Sequence, residues 1–310
     1  MFVYTYACRP EEESLCQLEL RALFGKQITG TFLSERKIDP SRSPFIKERI
    51  DVLYESNDWQ ELKQLASEIV MGETTFKVIC IRNPGEEKLP HDDRRAAERE
   101  IGACINGEAN VKAPMHIFGL VRLHGKWYFG DYYKSMPVWL GHVKKPREYS
   151  TALDTRLARA VANIAAPVIE DVSMIDPCCG IGTVLVEALS MGMHITGRDI
   201  NYHAASGARE NIAHFGFNGE VKRGPISEVN EQYDVAILDM PYNLCTHATP
   251  DDQLDILRHA RRFCKRAVVV TMDRIDEMII EAGFGIIDRA IVKKGSFTRE
   301  VLVCQSDNSA

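Results

Sequence analysis

The sequence predicts an α/β protein: a doubly wound, mostly parallel sheet closed by an antiparallel hairpin in the C-terminal half, preceded by an N-terminal α+β region. Three observations predict it. Residues 172–271 alternate short apolar runs with helical periods, as repeated β-α units do. The run DVAILD at 234–239 has a continuous apolar interior, the pattern of a strand buried on both faces. The first strand of the series runs into a Gly-rich turn, DPCCGIGT at 176–183, that opens a helix. A chain of 310 residues suits about two domains with a sizeable core.

In the N-terminal region, Phe2–Tyr6 reads as a strand and Glu12–Leu23 as a helix. Ile50–Tyr54 is a strand, Trp59–Met71 a helix, Phe76–Arg82 a strand and Arg94–Ile105 a helix. His116–Leu123 and Lys126–Tyr132 form a hairpin across His124-Gly125. The segment Lys144–Ser150 (KKPREYS) reads as a linker, which divides the chain at 143/144. Thr151–Ile164 is an amphipathic helix entering the second domain.

In the C-terminal half, Val172–Asp176 is a strand, followed by the Gly-rich turn and a helix over Val184–Met191. His194–Asp199 is a strand, Tyr202–His214 a helix, and Glu220–Arg223 a short strand. Asp234–Asp239 is the fourth strand, Asp251–Phe263 a helix, Ala267–Thr271 a strand and Arg274–Ala282 a helix. Ile286–Val292 and Glu300–Val303 flank KKGSFT as the closing hairpin. Parallel β-α repeats place the fourth strand beside the first at the switch point of the sheet.

Composition narrows the function classes. The chain is 45% hydrophobic and 26% charged, with net charge −6, an ordinary globular balance. The acidic balance (pI 5.9) argues against nucleic-acid binding by bulk charge, which usually brings a pI above about 9. Residues 1–149 carry 22 basic and 22 acidic side chains and the rest 16 and 22, so the net negative charge lies in the C-terminal half. No apolar run is long enough to cross a membrane and no leader peptide is read. The nine scattered cysteines fit reduced thiols in a cytoplasmic protein. Cys178-Cys179 has no second close pair, so no metal site is expected.

Two motifs carry the chemistry. In DPCCGIGT, Gly180 and Gly182 let backbone approach a ligand, and the helix N-terminus offers free N–H groups. The dinucleotide fingerprint is incomplete because Leu185 occupies the third Gly position. The leading acid, Asp176, suits a ligand with a positive amino group, such as the methionine part of S-adenosylmethionine; a tight turn with no ligand is the alternative. Asp199, ending the second strand, can accept hydrogen bonds from ribose hydroxyls. The second motif, DMPY at 239–242, follows the fourth strand. Asp239 and the Met240 carbonyl can accept the two hydrogens of an exocyclic amine, Pro241 stiffens the turn, and Tyr242 can stack on a base. The alternative is a loop exit with a packing Tyr.

Together these motifs resemble those of class I S-adenosylmethionine-dependent amino-methyltransferases. The C-terminal half is more closely similar to the THUMP-associated RNA guanosine methyltransferases of tRNA and large-subunit rRNA, which read D-P-F-C-G-S-G-T…E-A and, later, D-P-P-Y. Asp176, Pro177, Cys179, Gly180, Gly182, Thr183 and Glu187-Ala188 match, and residues 149–167 resemble the segment before the first motif. The N-terminal region resembles more faintly a ferredoxin-like and THUMP arrangement, best over Phe76–Gly130. Two departures stand out. Met240 replaces the first Pro of D-P-P-Y, and Gly224-Pro225 stands where an acid usually meets the adenine.

The resemblance implies a Rossmann-like class I methyltransferase domain over 144–310 and a ferredoxin-like and THUMP-like RNA-binding region over 1–143. It implies S-adenosylmethionine held by Asp176, Pro177, Cys178, Cys179, Gly180, Gly182, Thr183, Asp199, Ile200 and Pro225. It implies methyl transfer to the 2-amino group of a guanosine, in tRNA before rRNA, carried by Asp239, Met240, Pro241 and Tyr242 without a metal. Base flipping would bring the amine within reach. Methylation of a DNA base or a protein glutamine, or a weakly active S-adenosylmethionine-binding RNA-binding protein, are the alternatives. A monomer is expected, and some relatives depend on a small activating partner subunit. Lys144, Lys145 and Arg147, with Arg36, Lys37, Arg42, Lys47 and Arg49, are either RNA-phosphate contacts or solvated charge. Trp127–Phe129 reads as strand core, His247 as a loop histidine and Pro250–Asp255 as a helix N-terminus.

Overall fold

A computed structural model describes residues 1–83, 88–149, 152–241, 249–294 and 297–306. They form two compact units. The first holds Met1–Ala7 and Ile28–Met136; the second holds Cys8–Gln27 and Pro137–Ala310. The chain therefore enters the second unit twice. A single cut at 143/144 leaves residues 8–27 with the wrong partner.

The elements run β1 (Phe2–Tyr6), α1 (Glu13–Phe24), β2 (Phe32–Ser34), β3 (Ile46–Ser56), α2 (Trp59–Ser67), β4 (Phe76–Cys80), α3 (His91–Cys104), β5 (His116–Leu123) and β6 (Lys126–Lys134). Apart from α1, they build the first unit, whose six-stranded sheet has the order β2-β1-β3-β6-β5-β4. Leu62, Ala66, Ala97 and Ile101 of α2 and α3 pack on Phe76, Phe118 and Phe129 of the sheet. His124 and Gly125 both take positive φ, 53° and 76°, as a tight hairpin turn requires. Tyr128 and Phe129 are core residues as expected. Trp127 packs against Trp59 with ring centroids 4.6 Å apart and planes tilted by 48°.

The strand β3 is twice its expected length because its charged start is internally satisfied. Glu48 accepts from Thr5 at 2.8 Å and Tyr132 at 2.9 Å. Arg49 is buried, donates to the Ile38 carbonyl at 2.9 Å and pairs with Asp51. Arg49 is therefore a structural cation rather than a surface phosphate contact, and Lys37 is likewise engaged with Asp51 at 2.9 Å.

The second unit adds α4 (Thr155–Ala165), β7 (Ser173–Asp176), α5 (Thr183–Ser190), β8 (His194–Asp199), α6 (Tyr202–His214), β9 (Val221–Arg223), β10 (Tyr233–Asp239), α7 (Pro250–Phe263), β11 (Cys264–Thr271), α8 (Asp276–Glu281), β12 (Gly285–Lys294) and β13 (Phe297–Gln305). Its sheet order is β12-β13-β11-β10-β7-β8-β9, with β13 alone antiparallel to β11 and β12. The chain reverses direction across the sheet between β7 and β10, so the switch point falls where the sequence places it. At the opposite end of this pair, Asp234 accepts from the Ser173 N–H at 2.8 Å and hydroxyl at 2.6 Å, fixing the register.

On one face, Leu257, Ala260 and Phe263 of α7 and Ile279 of α8 bury against Leu238, Val269 and Leu302. On the other, α4 packs on α5 and β10, and α1 packs on α4 and β12. Side-chain caps fix the helix starts: Asp154 for α4, Asn201 for α6, and a reciprocal Thr249–Asp252 capping box for α7.

Candidate active site

Asp176 ends β7 and is almost fully buried. The turn after it is shaped by backbone. Cys178 N–H donates back to Asp176 at 3.2 Å, Cys179 N–H to the Arg198 carbonyl at 3.0 Å, and Gly180 N–H to Asp199 at 2.8 Å. Gly180 and Gly182 have φ of 53° and 77°, which side-chain-bearing residues rarely adopt. A Cβ on Gly180 would strike the Tyr149 hydroxyl, and one on Gly182 would press on Ala208 of α6 at 3.0 Å. Leu185 does not break the turn. Its side chain fills the space over Gly197 of β8, where a Cβ would collide with it.

Asp199 closes β8 and accepts from Gly180 N–H and Asn201 N–H, each at 2.8 Å. A carboxylate has further lone pairs, so both oxygens can still accept from a ligand. Asp239 closes β10. Its Oδ1 is shielded from solvent and has no hydrogen-bond partner among the described residues, and the hydroxyl of Thr183 shares that condition. A buried acceptor without a partner is costly unless a ligand supplies the donor.

The three carboxylates oppose one another. Burial raises Asp176 far above the usual carboxylate range, and the Asp239 charge raises it further. Burial pushes Asp239 up to about 7, with the Arg299 cation pulling the other way. Burial also raises Asp199, against the Asn201 and Gly180 N–H groups that stabilise its charge. The Asp239 charge thus adds to the cost of ionising Asp176. Such a site favours a cation.

A cleft of about 1230 Å³ opens over these strand ends. Pro177, Cys178, Gly180, Asp199, Ile200, Pro225, Asp239, Met240 and Pro241 line it. Asp176, Cys179, Gly182 and Thr183 sit behind that wall, all of them buried. Tyr242 and His247 lie outside the described residues.

At the first departure, Met240 N–H donates to the Val270 carbonyl at 2.9 Å, a bond that a proline cannot make, and its side chain is buried in the α7–β11 core. The loop trades proline stiffness for a hydrogen bond. At the second, Gly224 N–H donates to the Asp199 carbonyl at 3.1 Å, and its φ of 149° with Arg198 and Glu228 packed close requires glycine.

Tyr149 and Arg299 were not singled out from sequence as site residues. Tyr149 belongs to the segment before the turn and lines the cleft. Arg299 comes from the closing hairpin, at a position just before the expected second strand. Glu187 is a structural anion: wholly buried, it pairs with Arg159 and with His142, each at 2.7 Å. Among the linker cations, Arg147 lines the cleft but is engaged with Glu210 at 2.6 Å, and Lys145 donates to the His142 carbonyl at 3.2 Å.

The sheet order, the buried acid before the Gly turn and the acid ending β10 define a class I methyltransferase fold. Residues 143–278 match the family described as RMKL-like, methyltransferase domain. Over 165 residues the chain is 34% identical to the tRNA (guanine(10)-N2)-dimethyltransferase of Methanothermobacter thermautotrophicus, covering 49% of this chain and 48% of that one. It is 27% identical over 196 residues to the enzyme of the same name from Methanocaldococcus jannaschii, covering 56% and 54%. The chain thus spans about half the length of these relatives. A crystal structure of TrmN from Thermus thermophilus aligns over 99% of both chains at 16% identity with a TM-score of 0.51, a likeness of fold. These matches bear out the resemblance to RNA guanosine-N2 methyltransferases drawn from the two motifs.

Proposed function

We propose that this chain is an S-adenosylmethionine-dependent RNA methyltransferase acting on the exocyclic 2-amino group of a guanosine in tRNA. The observation that carries the reading is the pair of open acceptors at the end of β10. Asp239 Oδ1 is shielded and unpartnered, and no described residue donates to the Met240 carbonyl. Two acceptors on adjacent groups match the two hydrogens of an amine. The relatives named above make guanosine N2 of tRNA the amine to test first.

The residues fit the cofactor. The Thr183 hydroxyl, without a partner among the described residues, the Gly180 position where a Cβ would strike Tyr149, and the acidic strand ends, whose ionised forms a cation would favour, suit a ligand carrying an amino acid group and a sulfonium. Asp176 and the Gly180–Gly182 turn, whose N–H groups at 178, 179, 180 and 182 are already bonded within the fold, would shape the pocket for its amino acid end. Asp199 would take the ribose, and Ile200 and Pro225 would flank the adenine. S-adenosylmethionine, when bound, supplies an electrophilic methyl group. A cleft larger than the ~300–1,000 Å³ of a single small-ligand site leaves room for a base as well.

The chain's own part is positioning and electrostatics. The lone pair of a guanine amine is delocalised into the ring. Asp239 and the Met240 carbonyl, accepting its two hydrogens, would turn that lone pair towards the methyl donor and stabilise the charge that grows on nitrogen. Ionised Asp239 then accepts the displaced proton. Tyr242 would stack on the flipped base, and the first unit would act as a THUMP-like RNA-binding region in a cytoplasmic monomer.

The test is methyl transfer from labelled S-adenosylmethionine to unmodified tRNA, with rRNA, duplex DNA and protein extract alongside and nucleoside mass spectrometry of the products. Methylguanosine in tRNA, reduced at least about 100-fold in Asp239→Ala, is the expected result. Label in DNA or protein alone overturns the RNA assignment.

A further inference from the structure

We propose that Gln253 is a positioning residue for the reacting loop: its side-chain amide clasps the Pro241 carbonyl and so holds Asp239 and the Met240 carbonyl in the arrangement that receives the amine. The inference rests on the reading of that loop given above.

Gln253 lies in the first turns of α7 and is buried. Its neighbours on the inner face of the helix, Leu257 and Ala260, are apolar core residues. An apolar side chain would serve packing equally well there, and a buried amide is unfavourable unless it is hydrogen-bonded. The partners explain it. Gln253 Nε2 donates to the Pro241 carbonyl at 2.9 Å and to Asp273 Oδ2 at 3.4 Å. Asp273 is itself fixed at the end of β11, where its N–H donates to the Thr271 hydroxyl at 3.1 Å.

The clasp is also anchored on its own helix. The Thr249–Asp252 capping box sets where α7 begins, three residues before Gln253. β10 ends at Asp239 and α7 begins at Pro250, and Gln253 ties the helix to the strand exit across 12 residues. Met240 is thus held from two sides, by its own N–H on Val270 and by the next carbonyl on Gln253. With the peptide planes on either side tied down, the Met240 carbonyl and Asp239 Oδ1 remain the open acceptors.

The experiment uses the full chain with Gln253→Met, which keeps the volume and removes the donor, and Gln253→Glu, which sets an anion against the carbonyl and Asp273. S-adenosylhomocysteine affinity is measured by calorimetry, methyl transfer to tRNA by kcat and KM, and exchange of backbone amides by mass spectrometry. Gln253→Met should lower kcat at least about tenfold and Gln253→Glu further, because small misplacements of reacting groups are costly. Cofactor Kd should stay within about threefold, and amide exchange should quicken over 238–253 but not over 176–189.

A kcat for Gln253→Met within about twofold of wild type overturns the proposal. So does a parallel loss of kcat, cofactor affinity and Tm, which would mark a purely structural role. If the wild-type chain methylates no RNA, the functional reading fails on its own. Amide exchange then decides the clasp: unaltered exchange over 238–253 in Gln253→Met overturns it, and faster exchange confined there supports it.

Discussion

Asp176, Asp199 and Asp239 close three neighbouring strands of one sheet, and burial raises the proton affinity of each. A cationic ligand relieves that repulsion and favours their ionised forms. Binding of S-adenosylmethionine near pH 6.5 should therefore release protons. Calorimetry in two buffers of different ionisation enthalpy measures the release, and Asp176→Asn should diminish both it and the affinity. Stability in the ligand-free protein follows the same logic with a definite sign. Asp239 titrates at about 7 when folded and near 3.9 when unfolded. The folded state binds the extra proton, so this group favours folding below about pH 4 and loses that contribution as pH rises through 7. Between pH 5 and 8 the wild-type Tm should fall relative to that of Asp239→Asn; parallel curves would contradict the assignment. In the proposed function ionised Asp239 accepts from the amine, so kcat should rise with pH. Its midpoint should lie below 7, because a bound cation lowers the Asp239 pKa.

At the scale of elements, the parallel core was legible because β10 and β11 carry the uninterrupted apolar runs Val235–Leu238 and Ala267–Val270 and because Gly180 and Gly182 punctuate the β7–α5 turn. The motif residues could be placed at strand ends for the same reason. What hid from sequence was satisfied polarity. The start of β3 carries Glu48 and Arg49, which periodicity reads as surface, yet Thr5 and Tyr132 supply partners to the first and Ile38 to the second. Glu187 hid likewise: a helix Glu in sequence, it is a wholly buried anion joining α4, α5 and the 138–142 turn. Removing one member of a buried ion-paired set leaves the others uncompensated, at about 3–5 kcal/mol. Glu187→Ala should accordingly lose stability on that scale in urea unfolding, strand Arg159 and His142, and weaken cofactor binding only through the fold. A loss below about 1 kcal/mol would show that solvent readily compensates the pair.

At the scale of the whole molecule, α1 belongs to the second unit although some 110 residues of the first unit follow it in the chain. Hydrophobic periodicity shows that a helix has a buried face; it does not say which partner covers it, and here the partner is α4, far along the sequence. The contacts are specific. Asn163 donates to the fully buried Glu19 at 2.6 Å, Arg21 grips Asp288 through two bonds of 2.8 and 2.9 Å, Arg156 pairs with Glu12 at 3.2 Å, and Ile291 N–H donates to Ser14 at 3.0 Å. A fragment cut at the apparent linker, residues 144–310, discards α1 and the 137–143 turn together. It leaves Asn163 without its carboxylate and exposes the apolar surface that Leu15, Leu18 and their neighbours cover. Such a fragment should be less stable than the full chain or aggregate on expression. A chain in which residues 28–136 are replaced by a short flexible linker keeps every one of these contacts. It should unfold cooperatively in urea and bind S-adenosylhomocysteine with near wild-type affinity, yet methylate tRNA poorly if the first unit carries the RNA. Equal stability of the two truncated proteins would show that α1 is dispensable to the unit it packs on.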